Sequence, residues 1–91
     1  KVIAYDPCAK QGAQGIRMAG SLEEAISGAD CIALTVAHRE FASLASGEGL
    51  KRAAGKMNSK IIFDGRNVFD AQACRKGGFS FCGIGKEFIV Q

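Results

Sequence analysis

Short apolar runs, each closed by a polar residue, set the rhythm of the chain. Lys1-Val2-Ile3-Ala4-Tyr5-Asp6-Pro7 reads as a strand that stops at Asp-Pro, because proline has no N–H for a ladder and restricts the residue before it. Asp30-Cys31-Ile32-Ala33-Leu34-Thr35-Val36 is a second, continuous apolar strand of the kind buried inside a parallel sheet. Ile61-Ile62-Phe63 is a third buried strand and ends abruptly in Asp64-Gly65-Arg66. Phe79, Phe81 and Ile84 mark the last one, followed by a turn at Gly83-Ile84-Gly85.

Helical signals fall between these runs. Ser21-Leu22-Glu23-Glu24 is a capping box, with serine at the cap and glutamate three residues on, and it opens a short helix closed by Gly28. Arg39-Glu40-Phe41-Ala42-Ser43-Leu44 starts another after the loop at Ala37 and His38. Leu50, Ala53, Ala54 and Met57 recur at helical spacing, so residues 45–59 form a helix or an irregular connection over the sheet. Asp70 is an N-cap for Ala71–Lys76, which Gly77-Gly78 ends. Residues 8–20 read as a loop with a short edge strand at Ile16-Arg17-Met18.

Strands alternating with helices predict a mostly parallel, right-handedly connected sheet, a Rossmann-like three-layer α/β/α domain. In the common doubly wound order a first strand lies between the strand at 1–5 and the one at 30–36. That strand and its helix are not in this sequence, so the two flanking strands must pair directly or leave open edges that recruit another chain.

In an open α/β sheet, ligands bind at the carboxyl edge, which directs attention to the loop after Phe63. Arg66 offers a planar fork of donors suited to phosphate or carboxylate, and Gly65 would let the backbone approach what Arg66 holds. Equally, Arg66 could pair with Asp64 or Asp70 across the loop. His38, at the start of a helix, is a ligand or acid/base candidate, but no carboxylate or cysteine is spaced to work with it, which favours a capping or packing role. Asp6 could hold a ribose hydroxyl, but no glycine fingerprint precedes it, which favours a turn.

Composition narrows the classes further. Ninety-one residues with 47% apolar and 23% charged content suit one small globular domain. A net charge of +3, from twelve Lys/Arg scattered among nine acids, is a solvated surface and not a nucleic-acid footprint. No apolar run is long enough to span a membrane, and no secretory signal opens the sequence. Cysteines at 8, 31, 74 and 82 have none of the usual zinc or thioredoxin spacings, so no metal is expected and reduced thiols in a cytoplasmic protein are. Cys31, inside an apolar run, is expected in the core.

The series Tyr5-Asp6-Pro7, Ser21-Leu22-Glu23-Glu24-Ala25, Gly28-Ala29-Asp30, Thr35-x-x-His38-x-Glu40-Phe41 and Ile62-Phe63-Asp64-Gly65-Arg66-Asn67 resembles the C-terminal domain of the UDP-glucose/GDP-mannose dehydrogenase family. Gly77-Gly78-Phe79 and Gly83-Ile84-Gly85 fit the same pattern. The resemblance runs over essentially all of residues 1–91, and Asp-Gly-Arg after a strand is its most telling part. It implies an NAD-dependent enzyme that oxidises the C6 alcohol of a nucleotide sugar to a carboxylate through a cysteine nucleophile. The domain would hold the UDP part of the UDP-sugar, with Arg66 against the UDP and Gly65 and Asp64 beside it; Thr35 and His38 are further candidates.

By the same resemblance NAD is bound mainly by an upstream domain, the catalytic cysteine lies upstream too, and none of the four cysteines here takes that role. No catalytic residue is therefore expected in this chain, and alone it should be inactive. The full-length enzyme is expected to be a homo-oligomer. The pattern Thr35-x-x-His38-x-x-Phe41 with Asp64-Gly65-Arg66-Asn67 leans toward a UDP-N-acetylhexosamine of the mannosamine type over UDP-glucose. A free-standing Rossmann-like nucleotide-binding or regulatory module, with no chemistry of its own, is the alternative.

Overall fold

The computed structural model describes residues 2–7, 16–85 and 89–90. Near the start, β1 (Ile3–Ala4) pairs in parallel with β2 (Arg17–Met18). A separate parallel sheet has the order β3 (Ile32–Leu34), β4 (Ile61–Asp64), β5 (Ser80–Gly83). The helices α1 (Leu22–Ile26), α2 (Arg39–Ala45), α3 (Gly47–Lys56) and α4 (Ala71–Lys76) lie between strands, as the alternation of patterns predicts. The chain is thus a parallel α/β protein of the Rossmann-like kind.

Local chemistry explains where the elements begin and end. Ser21 Oγ accepts the Glu24 N–H at 3.1 Å, while the Glu24 carboxylate reaches back to the Gly20 N–H at 3.3 Å, a capping box shifted by one residue. Gly28 leaves α1 at φ +74°, a conformation that costs glycine little. Ser46 both ends α2 and caps α3, its hydroxyl accepting the Gly49 N–H at 3.1 Å. One residue therefore separates the two helices, and the ambiguous stretch 45–59 resolves into α3, with Leu50 and Ala53 on its buried side. Asp70 caps α4 through the Gln72 N–H at 3.4 Å.

Every one of these helices contributes to a single core. Ile26, Phe41, Leu44, Leu50, Ala53 and Cys74 meet Leu34, Ile62 and Phe81 of the sheet, with Phe69 and Phe79 closing the ends. The register places Ile32 beside Ile62 and Ile62 beside Phe81 on this inner face.

The outer face differs from the sequence expectation. Ala33, Phe63 and Cys82 form a row there, and Ile61 and Phe63 remain 44% and 39% exposed. The runs 30–36 and 61–63 are therefore buried on one face and not on both, and Cys31 is exposed rather than in the core. A continuous apolar run does not say which of its faces a helix covers, and among the described residues the helices share the inner face. Cys74, by contrast, is fully buried. Cys8 lies outside the described residues.

The strands at 1–5 and 30–36 do not pair with each other. Among the described residues β1 bonds only to β2 and β3 only to β4, so each keeps one edge without a strand partner. The residue after β1 is linked instead to α2, the helix that follows β3. The Tyr5 hydroxyl donates to the Glu40 carboxylate, 2.8 and 3.0 Å from its two oxygens, and its ring meets Phe41 edge-on at 6.3 Å.

Candidate functional site at the carboxyl edge

The loop after β4 is organised from inside by Asp64. Its side chain is fully buried, with Oδ1 accepting the Arg66 N–H at 3.0 Å and Oδ2 the Phe69 N–H at 2.7 Å. An aspartate that receives backbone N–H groups two and five residues ahead folds the chain back on itself, and Phe69, 1% exposed, anchors the far end in the core. Asn67 takes φ +61°, a left-handed conformation that asparagine tolerates better than most residues.

Gly65 is needed for packing between strands. Its N–H donates to the Leu34 carbonyl at 2.8 Å, and a Cβ there would sit 3.0 Å from that same oxygen. The end of β3 is thus one close neighbour that the missing side chain at Gly65 accommodates. From the other side, the Ile84 N–H donates to the Asp64 carbonyl at 3.3 Å. The ends of β3, β4 and β5 are cinched together, and Thr35 follows directly on the bonded Leu34.

With the backbone held this way, the Arg66 side chain is exposed. Its guanidinium makes no ion pair among the described residues, where the pairs are Arg17 with Glu24 and Lys56 with Glu23. The reading in which Arg66 pairs with Asp64 or Asp70 is therefore not realised: Asp64 is occupied by backbone N–H groups and Asp70 caps α4. Asp64 is fully buried beneath the loop, each of its oxygens accepting a backbone N–H.

His38 is the N-cap of α2, Nδ1 accepting the Glu40 N–H at 3.1 Å, with its ring edge-on to Phe41 at 5.9 Å. That is the capping and packing role. No hydrogen bond joins His38 to the 64–66 loop among the described residues. The link from Tyr5 to Glu40, which steadies the first turn of α2, was not among the sequence candidates, and neither was Asn67. The Gly-Arg-Asn run itself carries a turn signal for Asn67, whereas a contact spanning 35 positions has no local signature.

The fit of a nicotinamide dinucleotide can be judged at Gly83-Ile84-Gly85. A dinucleotide fingerprint needs its glycine turn to open a helix whose N-terminus meets the pyrophosphate. Here the chain turns through Gly85 at φ +71° and comes back antiparallel, Ile89 and Phe81 exchanging both backbone hydrogen bonds at 2.8 and 2.9 Å. The Gly83-Ile84-Gly85 segment is thus a plain turn, as the sequence predicts. No group of His, Cys, Asp and Glu suited to a metal ion occurs among the described residues. No described helix is long and apolar enough to cross a membrane.

Comparison with known proteins gives the family. Residues 1–71 match the UDP binding domain of the UDP-glucose/GDP-mannose dehydrogenase family. A UDP-N-acetyl-D-mannosamine dehydrogenase of Methanocaldococcus jannaschii is 35% identical over 65 residues, which is 71% of this chain and 15% of that protein. One from Methanococcus maripaludis is 30% identical over 79 residues, 87% of this chain and 18% of the relative. Among solved structures, an NDP-N-acetyl-D-galactosaminuronic acid dehydrogenase from Methanosarcina mazei Go1 superposes with a TM-score of 0.75 at 32% identity, over 96% of this chain and 18% of that one.

A parallel α/β domain is the class that the fold defines. The chain belongs to the UDP-glucose/GDP-mannose dehydrogenase family, matching its UDP binding domain. It spans less than a fifth of the length of these relatives.

Proposed function

We propose that this chain is the substrate-binding domain of an NAD-dependent nucleotide-sugar 6-dehydrogenase, with Arg66 holding the diphosphate of a UDP-sugar. The observation that carries the reading is an exposed guanidinium without a counter-ion among the described residues, at the carboxyl edge of a parallel sheet. A guanidinium presents paired donors that match two phosphate oxygens at once. Asp64 and Gly65 fix the backbone from which Arg66 projects, so the side chain meets its ligand from a preset position. Thr35, the residue after Leu34 of the neighbouring strand, would add a hydroxyl, and His38 supports that loop as a cap.

In the complete enzyme the sugar C6 alcohol is oxidised to a carboxylate, and the nicotinamide and the cysteine nucleophile act from outside this chain. The relatives named above favour a UDP-N-acetylhexosamine as substrate. We place the enzyme in the cytoplasm, in polysaccharide biosynthesis, and as a homo-oligomer. The test is a titration of this polypeptide with UDP, followed by amide NMR. Shifts at 35–38 and 65–70, with no NADH formed from NAD⁺ and UDP-N-acetylmannosamine, are expected. Shifts elsewhere only, or turnover by the chain alone, would refute the assignment.

A further inference from the structure

The groove between α3 and α4 forms an open cleft of about 490 Å³. Ala54 and Ala73 supply its apolar floor above the buried Leu50, and Lys51, Lys60 and Lys76 are its ionisable lining residues among those described. None of the three lysines belongs to an ion pair among the described residues, whereas Lys56 on the same helix is matched by Glu23 at 3.2 Å. Lys60 reaches over the turn after α4, where a Cβ on Gly78 would lie 3.7 Å from its Nζ.

Three ammonium groups gathered around one cleft repel each other, and an anion placed among them relieves that repulsion. The apolar floor offers a surface for an apolar body, the combination that small-molecule sites use. The size lies in the range of such sites, roughly 300–1,000 Å³. The cleft is also separate from the Arg66 loop. Lys60 directly precedes β4 and Arg66 follows its end, so the two lie at opposite ends of a strand about 13 Å long at about 3.3 Å per residue.

We propose that this cleft is a second ligand site, which takes a small amphiphilic organic phosphate, its apolar body on Ala54 and Ala73 and its phosphate among the three lysines. The floor residues and the sheet belong to one hydrophobic cluster, in which Leu50 and Ala53 of α3 pack with Ile62 of β4.

The test uses 1-naphthyl phosphate, titrated into the 91-residue chain and followed by amide NMR. Saturable shifts at Leu50, Lys51, Ala54, Lys60, Ala73 and Lys76 are expected, weakening as salt is raised. Neutral 1-naphthol and inorganic phosphate, each lacking half of the recognition, should bind about tenfold more weakly or worse. The double variant Lys51→Glu/Lys76→Glu should raise the Kd by about tenfold or more, the two reversed surface charges each contributing modestly. Lys60→Gln, a milder change, should raise it about threefold and guards against a folding defect in the double variant. No shifts, shifts confined to residues 35–38 and 65–70, or equal affinity in the folded variants would overturn the proposal.

Discussion

Asp64 Oδ2 accepts the Phe69 N–H at 2.7 Å, and that bond ties the far end of the loop to the strand it leaves. Together with the Arg66 N–H on Oδ1, it makes one buried carboxylate the internal support of the candidate nucleotide site.

Asp64→Asn removes one acceptor and turns an amide NH₂ toward a backbone N–H. Leaving a buried donor without a partner costs about 1–3 kcal/mol. For a domain of this size each kcal/mol lowers the Tm by roughly 4–8 °C. Thermal unfolding of the variant should show that loss, together with weaker UDP binding as the loop loosens. A variant with the native Tm would mean the two hydrogen bonds do not hold the loop.

Two glycines of α3 should respond in opposite ways to alanine. A Cβ on Gly49 would run into the carbonyls of Ser43 and Leu44, where α2 meets α3, while a Cβ on Gly55 meets nothing within 4 Å. Gly49→Ala should therefore destabilise by about 1–3 kcal/mol through overpacking. Gly55→Ala should stabilise by roughly 0.5–1 kcal/mol through helix propensity. Urea unfolding of the two variants side by side separates these effects, and a shift of the same sign in both would contradict the close approach at Gly49.

Local chemistry was legible before the structure. Ser21, Asp70 and the Gly77-Gly78 end act as their types predict, because caps and turns are decided within a few residues. The Asp64-Gly65-Arg66 loop was found at the right edge, but its internal wiring was not. That Asp64 turns inward depends on N–H groups presented by the folded loop, and that Gly65 is small depends on Leu34, thirty-one positions earlier. The uncovered outer face of β3 and β4 was likewise hidden, since Ile61 and Phe63 read the same whether or not a helix covers them.

Cys31 should contribute to the response of stability to alkaline pH. Burial raises its thiol above the ordinary 9.0, while a backbone hydrogen bond with Phe63 pulls it down by less. Although the residue counts as exposed, its sulfur lies close enough to β4 to lose part of its hydration. A raised value means the folded state favours the neutral thiol. The stability this supplies is fully present below the ordinary value and is lost as pH rises through the higher folded one. Urea midpoints of the wild type and Cys31→Ser, compared upward from pH about 8, should run parallel at first. The wild type should then fall relative to the variant above about pH 9. Curves that stay parallel throughout would remove Cys31 from the pH response.

Arg66 is the residue on which the proposed UDP site turns, and the Kd for UDP of the Arg66→Ala chain, measured by calorimetry beside a melting curve, tests it most directly. A charge-assisted hydrogen bond contributes about 1.5–3 kcal/mol, so the Kd should rise roughly ten- to a hundredfold. Arg66→Lys should recover part of the loss, since a point charge cannot reproduce a planar fork. The Tm should stay at the wild-type value, because the exposed guanidinium has no ion-pair partner among the described residues. An unchanged Kd with a lowered Tm would contradict this assignment and make Arg66 a support of the fold instead of a ligand for phosphate.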